Sequence, residues 1–387
     1  MEGTWWTHPN ELDEQQKEVI SLPLTGDHLV VGPPGSGKTN LLILRATYLY
    51  RAKIRDTVIL TFGRVLREFL VSGTENYPFN DRKVQTYIRW GASALEQHGK
   101  KLDENGDFEV VRSRLTSALR EIVDIGEVAS RHECILIDEA QDYSSEEIEI
   151  IRHFTKQIFA VGDNRQRIYA ATGAIPTLEA FCQKSELKFH YRNGTQICKV
   201  ADAIMEMTDD PDGLEASSQY DELEYPSSVK VHAGLPVSAQ VARAIPEIET
   251  QLRAYPSGVI GVLCPRHAEL DEVCELLESS ALADVLQAQR YSEGYTAMDR
   301  RRRVVATTLH SAKGLEFRAV HLLGMDMVQK FHGAQKRLSF TAVTRAKTSL
   351  AIYHDADLPG HLERGLAALE PDGDLPELDD LFGGGDE

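Results

Sequence analysis

The run Gly32-Pro33-Pro34-Gly35-Ser36-Gly37-Lys38-Thr39 fits the spacing G-x-x-x-x-G-K-[ST]. An apolar stretch, Leu29–Val31, leads into it, and Leu41, Leu44, Tyr48 and Leu49 follow at helical spacing. A strand, a glycine-rich loop and a helix in that order make a phosphate cradle. Glycines let the backbone come close, and N–H groups at the helix start face anionic oxygens. Lys38 would offer a point charge to the β- and γ-phosphates of ATP, and Thr39 a hydroxyl to Mg²⁺, with Asn40 completing the nucleotide-binding run.

A second constellation is Ile135-Leu136-Ile137-Asp138-Glu139-Ala140-Gln141-Asp142. An apolar strand here delivers adjacent carboxylates at its C-terminal end, where ligands of parallel sheets bind. Asp138 is suited to hold Mg²⁺, and Glu139, pointing elsewhere, to orient or deprotonate an attacking water. Such a pair is weak evidence alone but strong beside a phosphate loop.

These groups need a scaffold, and the chain of 387 residues is long enough for two or three domains. Short β-branched runs alternate with helical patterns, which predicts an α/β fold with parallel sheets flanked by helices. One set of strands is expected at 28–31, 58–62, 134–137 and 158–161. The other is expected at 229–231, 259–263, 304–308, 320–323 and 350–353. An acidic stretch of about 208–228 reads as a mobile loop between them. The expected division is therefore a first domain over 1–189, with a small helical insertion at about 87–131, a second over 190–357, and a disordered acidic tail over 358–387.

Five scattered cysteines include no close pair, so neither a zinc site nor a disulfide framework is suggested, and a reduced, cytoplasmic setting is expected. No apolar run is long enough for a membrane span. The net charge of −18 argues against nucleic acid at first sight. It is a sum over the whole surface, though, and seven of the acids crowd into 371–387 without a single base. Against this background Arg300-Arg301-Arg302-Arg303 stands out, either as phosphate contacts or as a solvated loop balancing nearby acids.

From Leu12 to about Lys347 the chain resembles the UvrD/Rep type of superfamily 1 helicases. The resemblance implies two RecA-like P-loop domains and an ATP-dependent translocase or helicase moving 3′ to 5′ on single-stranded DNA in repair, recombination or genome defence. Gln16 matches the glutamine that reads adenine. Val58–Phe62 matches a strand whose end, Thr61 and Phe62, touches DNA, and Thr86 and Tyr169 join those contacts. Gln166 matches a γ-phosphate sensor. His190-Tyr191-Arg192 carries an arginine finger, Arg192, and Thr341–Lys347 a second, Arg345. In Leu309–Phe317, His310 and Lys313 match DNA contacts and Glu316 a ribose contact. Arginines borrowed from a second domain would make hydrolysis depend on domain closure, the mechanical step of a motor.

The sequence departs from that pattern in three places. Ala171 stands where the family carries a base-stacking aromatic, a contact worth about 1–3 kcal/mol per base. Tyr169, Phe62 or Trp90 could compensate, although such an aromatic more often belongs to a core. The large accessory insertions are missing, so a protein partner, such as a nuclease or a repair or defence component, could supply duplex handling. That leaves an alternative reading as an ATP-gated regulatory or recruitment subunit without processive unwinding. Finally, Leu375–Phe382 alternates acidic and apolar residues, like either a docking peptide or a solubilising tail.

Overall fold

The computed structural model describes residues 12–73, 78, 81–128, 132–163, 173–290, 298–299, 301–328 and 333–369. The first sheet contains β1 (His28–Val31), β2 (Thr57–Thr61), β3 (Val84–Thr86), β4 (Cys134–Ile137), β5 (Ile158–Gly162) and β6 (Gln183–Glu186). Between and before these strands run α1 (Glu14–Ile20), α2 (Lys38–Arg51), α3 (Arg64–Gly73), α4 (Tyr87–Gln97), α5 (Phe108–Asp124), α6 (Ser145–His153) and α7 (Ala174–Glu179). The order across the sheet is β3-β2-β4-β5-β1-β6, all pairs parallel. Strands β1, β2, β4 and β5 are buried on both faces because their sequences are almost wholly apolar.

Next come α8 (Thr195–Met205) and α9 (Leu214–Ser217), and then the second sheet: β7 (Ser228–His232), β8 (Ile260–Cys264), β9 (Leu286–Ala288), β10 (Val304–Thr308), β11 (Phe317–Leu322) and β12 (Ala346–Tyr353). Its helices are α10 (Val237–Ala254), α11 (His267–Glu278), α12 (Gly333–Val343) and α13 (Gly360–Ala367). The order β7-β12-β11-β8-β10-β9 is again parallel throughout. The molecule therefore has two RecA-like α/β halves.

Three strands escaped the sequence pattern: β3, β6 and β9. All three lie at sheet edges, and their sequences Val-Gln-Thr, Gln-Lys-Ser-Glu and Leu-Gln-Ala carry no apolar run, as suits strands paired on one side only. The stretch expected to be a mobile loop is anchored instead. The Asp202 carboxylate accepts from the N–H groups of Leu214 and Glu215 at 2.8 Å each. Tyr220 Oη lies 2.7 Å from Thr348 Oγ1, and Glu222 accepts from Ser227 N–H at 2.7 Å. The Asp202 and Glu222 carboxylates thus hold backbone N–H groups of the stretch, and Tyr220 ties it to β12.

The tail expected to be disordered from residue 358 begins with an ordered helix, α13. Leu358 and Leu362 are buried, and Gly365 lies so close to α8 that an added Cβ would come within 2.8 Å of Ile204. The short apolar stripe was masked by the acids beyond it. Residues 370–387, including the expected docking peptide, lie outside the described residues, as do Gln166, Tyr169 and Ala171.

A single apolar cluster crosses from one half to the other, joining Leu41, Leu66 and Val161 to Leu309, Leu315 and Phe340. Gly314 sits at φ +80° against α3, where an added Cβ would lie 2.7 Å from Leu66. The loop between β10 and β11 is thus seated directly on the first half.

Candidate nucleotide site and its bridge to the second domain

Strand β1 ends in the loop Gly32–Gly37, and α2 starts at Lys38. Gly35 (φ +80°) and Gly37 (φ +81°) both adopt left-handed backbone that a side chain would strain. Gly37 is the N-cap of α2 and has no side chain to satisfy the first N–H groups, which leaves them for an anion. Ser36 donates its hydroxyl to Pro33 O at 2.9 Å, closing the loop. Lys38 folds over it, with Nζ donating to Gly32 O at 2.8 Å and Pro33 O at 2.7 Å. Gln16, on α1, donates Nε2–H to Ser36 O at 3.1 Å, and its Oε1 accepts from Asp13 N–H at 3.2 Å. A capping box thus fixes α1, and α1 holds its glutamine beside the phosphate loop. Asn40 is buried in the first turn of α2.

Strand β4 brings the carboxylates to the same edge. Thr39 Oγ1 donates to Asp138 Oδ1 at 3.3 Å, and Glu139 N–H donates to the same oxygen at 3.0 Å. Asp138 Oδ2 is buried and has no hydrogen-bond partner among the described residues. Burial, reinforced by the charge of Glu139, pushes the Asp138 carboxyl up to about 7. An orphaned carboxylate oxygen beside a threonine hydroxyl is a hard oxygen donor set, which fits Mg²⁺. The glycine cradle, Lys38 and the open start of α2 fit the phosphates of ATP.

Glu139 is a non-glycine residue at φ 50°, a strained conformation of the kind concentrated at functional sites. It turns its side chain away from Asp138, where Gln141 Nε2–H donates to Oε2 at 2.5 Å. Burial opposes the Glu139 charge, but Lys313, Arg345 and Lys38 outweigh burial and hold its pKa below the ordinary value. Gln141 also accepts from Asp163 N–H at 2.8 Å, tying the end of β5 to the site. Gln141 and Asp142 were not assigned from sequence. Their signal was a run of polar residues directly after a buried strand; the short turn Ala140–Asp142 buries both.

The second half reaches this edge through two cations. Tyr191 N–H donates to Gly35 O at 3.2 Å, and Arg192 packs so tightly on Gly35 that an added Cβ there would sit 2.5 Å from Arg192 Cβ. The Arg192 guanidinium is paired with Glu316, which also pairs with Lys347 Nζ at 2.9 Å. Burial opposes the Glu316 charge, yet Arg192 and Lys347 hold that carboxyl at about 2. The second cation, Lys313, is 6% exposed and donates to both carboxylate oxygens of Asp142, at 2.6 and 2.7 Å. Glu139 Oε2 lies 3.8 Å from it. Arg345 is buried within its own half, donating to Thr341 O and Leu315 O at 3.0 Å each. Burial and the nearby Arg192 pull its pKa down to about 9.

The residues expected to touch DNA sit in varied surroundings. Thr61 is fully buried, with its hydroxyl 3.4 Å from Gly63 O and from Gln85 O. Phe62 is a core aromatic, edge-on to Tyr143 (centroids 5.6 Å) with the Arg112 guanidinium 4.7 Å from its centroid. Trp90, the other compensating aromatic considered, is buried against Phe154. Thr86 caps α4, accepting from Arg89 N–H at 3.3 Å. Lys313 is paired with Asp142. His310 is exposed. Within the arginine run, Arg301 pairs with Asp299 at 2.8 Å. Arg302 donates to Leu286 O at 2.7 Å, and Arg303 to Tyr255 O at 2.9 Å. Arg300 lies outside the described residues.

No helix among the described residues is long and apolar enough to cross a membrane. The UvrD/REP helicase N-terminal domain profile matches residues 12–125 and 92–185, and the UvrD-like helicase C-terminal domain profile matches 303–353. Together they span more than half of the chain. No curated protein matches it. Among solved structures, the C-terminal domain of a possible DNA helicase from Lactobacillus plantarum WCFS1 is similar at 19% identity and a TM-score of 0.33, covering 45% of this chain and 92% of that one. The PRRSV helicase is similar at 15% identity and a TM-score of 0.40, covering 88% of this chain and 54% of that one. On these two family matches, which run in the same order as the two parallel sheets, the chain belongs to the UvrD/Rep type of superfamily 1 helicases.

Proposed function

We propose that this chain is an ATPase stimulated by single-stranded DNA that moves along it, 3′ to 5′, in DNA repair, recombination or genome defence. The observation that carries this reading is the pair of second-domain cations, Arg192 and Lys313, set against Gly35 and Asp142 of the first domain. Their seating makes the nucleotide edge complete only when the two halves are together.

When bound, Mg²⁺ and ATP supply the reactive phosphoanhydride and neutralise its charge. Thr39 and Asp138 would hold the ion, and the N–H groups of Gly35 to Lys38 the phosphate oxygens. Lys38 exchanges its loop carbonyls for phosphate. Glu139, braced by Gln141, orients water and accepts its proton. Arg192, released from Glu316, and Arg345 add positive charge where negative charge develops. Opening and closing of the halves then moves the strand.

The compact form supports a second reading, an ATP-gated recruitment subunit. Among the described residues, the helices between β3 and β4 are α4 and α5, and between β8 and β10 lie α11, a short 3-10 turn at Ala283–Val285 and β9. A nuclease or repair component could supply duplex engagement. Displacement of streptavidin from biotinylated single strands separates the readings. ATP-dependent release from the 5′ end, but not the 3′ end, is expected of the motor. ATP hydrolysis without release from either end would favour the recruitment subunit, and release from the 3′ end alone would reverse the direction.

A further inference from the structure

We propose that Lys313 is a positioning residue that couples seating of the second domain to the water-orienting Glu139, acting through Asp142, rather than a contact to the DNA backbone. The proposal rests on the nucleic-acid-stimulated ATPase reading and names the coupling element within it.

Lys313 belongs to the loop after β10, folded as a tight turn in which Ala312 N–H donates to Thr308 O at 2.9 Å and Lys313 N–H to His310 O at 3.3 Å. Gly314, next in sequence, is pressed against Leu66. The loop is therefore fixed on the first domain by shape on one side and by the Lys313 ammonium on the other. An ammonium this deeply buried is tolerated only with a carboxylate partner, and Asp142 accepts through both oxygens. A lysine serving a phosphate backbone would keep its head group in solvent.

Asp142 shares its turn with Glu139, and its N–H donates to Glu139 O at 2.9 Å. Its own carbonyl accepts from Arg112 Nη2–H at 2.9 Å, and Arg112 lies over Phe62 at the end of β2. Elements from both halves thus converge on one buried ion pair, one residue-turn from the water-orienting carboxylate. Parting of the halves withdraws the ammonium from Asp142 and from Glu139 together. His310, exposed three residues before Lys313 on the same loop, gives a bound strand a lever on that seating.

The test compares Lys313→Ala, Lys313→Arg, Asp142→Asn and the Lys313→Ala/Asp142→Asn double variant in the full chain. Each is assayed for kcat and KM for ATP with and without saturating oligo(dT), and for oligo(dT) affinity by fluorescence anisotropy. Lys313→Ala and Asp142→Asn should each lower the stimulated kcat about ten-fold or more, with KM and oligonucleotide affinity within about two-fold. The double variant should be no worse than either single, and Lys313→Arg should recover part of the loss. An unchanged KM marks an intact nucleotide site; should Lys313→Ala or Asp142→Asn fail to fold, Lys313→Arg against Lys313→Met carries the same comparison. Weakened oligonucleotide affinity with normal kcat at saturation would overturn the proposal in favour of a backbone contact, and additive losses would overturn the shared pathway. If the unaltered protein ignores oligo(dT), the motor reading fails. The coupling is then read from basal kcat, which Lys313→Ala lowers if Lys313 positions Glu139 and leaves unchanged if it does not.

Discussion

The nucleotide edge and the face expected to meet a strand are built from the same sheet ends, yet they hold their side chains in opposite ways. At the candidate nucleotide edge, the proposed function sits in consecutive residues whose backbone shapes the cradle: Gly35 and Gly37 open it, and Lys38 and Thr39 follow at once. At the face expected to meet a strand, Thr61, Phe62 and Lys313 are occupied by packing or by an ion pair. The phosphate cradle is therefore local in sequence, although Asp138 and Arg192 reach it from far along the chain, whereas strand recognition depends on which residues the fold leaves at the surface. A match to a DNA-contact motif identifies an element without saying which of its side chains faces outward.

The largest effect that would break this contrast belongs to the nucleotide edge. Lys38→Ala should lower ATP turnover by about a thousand-fold, since it removes the charge proposed to meet the β- and γ-phosphates. Steady-state hydrolysis within ten-fold of the unaltered chain would show that the cradle is not the active site. Glu139→Gln should slow hydrolysis about a hundred-fold while a fluorescent ATP analogue still binds. Loss of binding would mean that Glu139 holds the fold rather than the water.

On the strand face the currency is stability. Phe62→Ala should cost about 3 kcal/mol in urea denaturation, because it empties a site between Tyr143, Phe108 and Arg112. Oligonucleotide affinity of the folded fraction should hardly change, and a ten-fold fall at unchanged stability would restore Phe62 as a base contact. The smallest effect is expected at Arg301, paired with Asp299. Arg301→Ala should leave the salt dependence of DNA binding as it was, whereas a phosphate contact would reduce the slope by about one.

Much of the fold was legible because buried parallel strands must be apolar: the runs at β1, β4, β5, β8 and β10 announce themselves. Edge strands such as β6, with its sequence Gln-Lys-Ser-Glu, pair on one side and carry no such mark. The glycine loop of the candidate nucleotide edge was legible for a similar reason, since left-handed backbone at Gly35 and Gly37 tolerates few substitutes. Gln141, Asp142 and Lys347 were not, because their roles arise from contacts with Glu139, Lys313 and Glu316. The Asp142 and Lys313 pairing spans 171 positions, and no periodicity in sequence records a distance of that kind.

The central claim is that hydrolysis at this site is governed by a nucleic-acid strand. Steady-state ATPase activity at low salt, without nucleic acid and with single-stranded DNA, double-stranded DNA or single-stranded RNA, tests it most directly. The account predicts strong stimulation by single-stranded DNA and little by the other two. Hydrolysis at the same rate under all four conditions would contradict it.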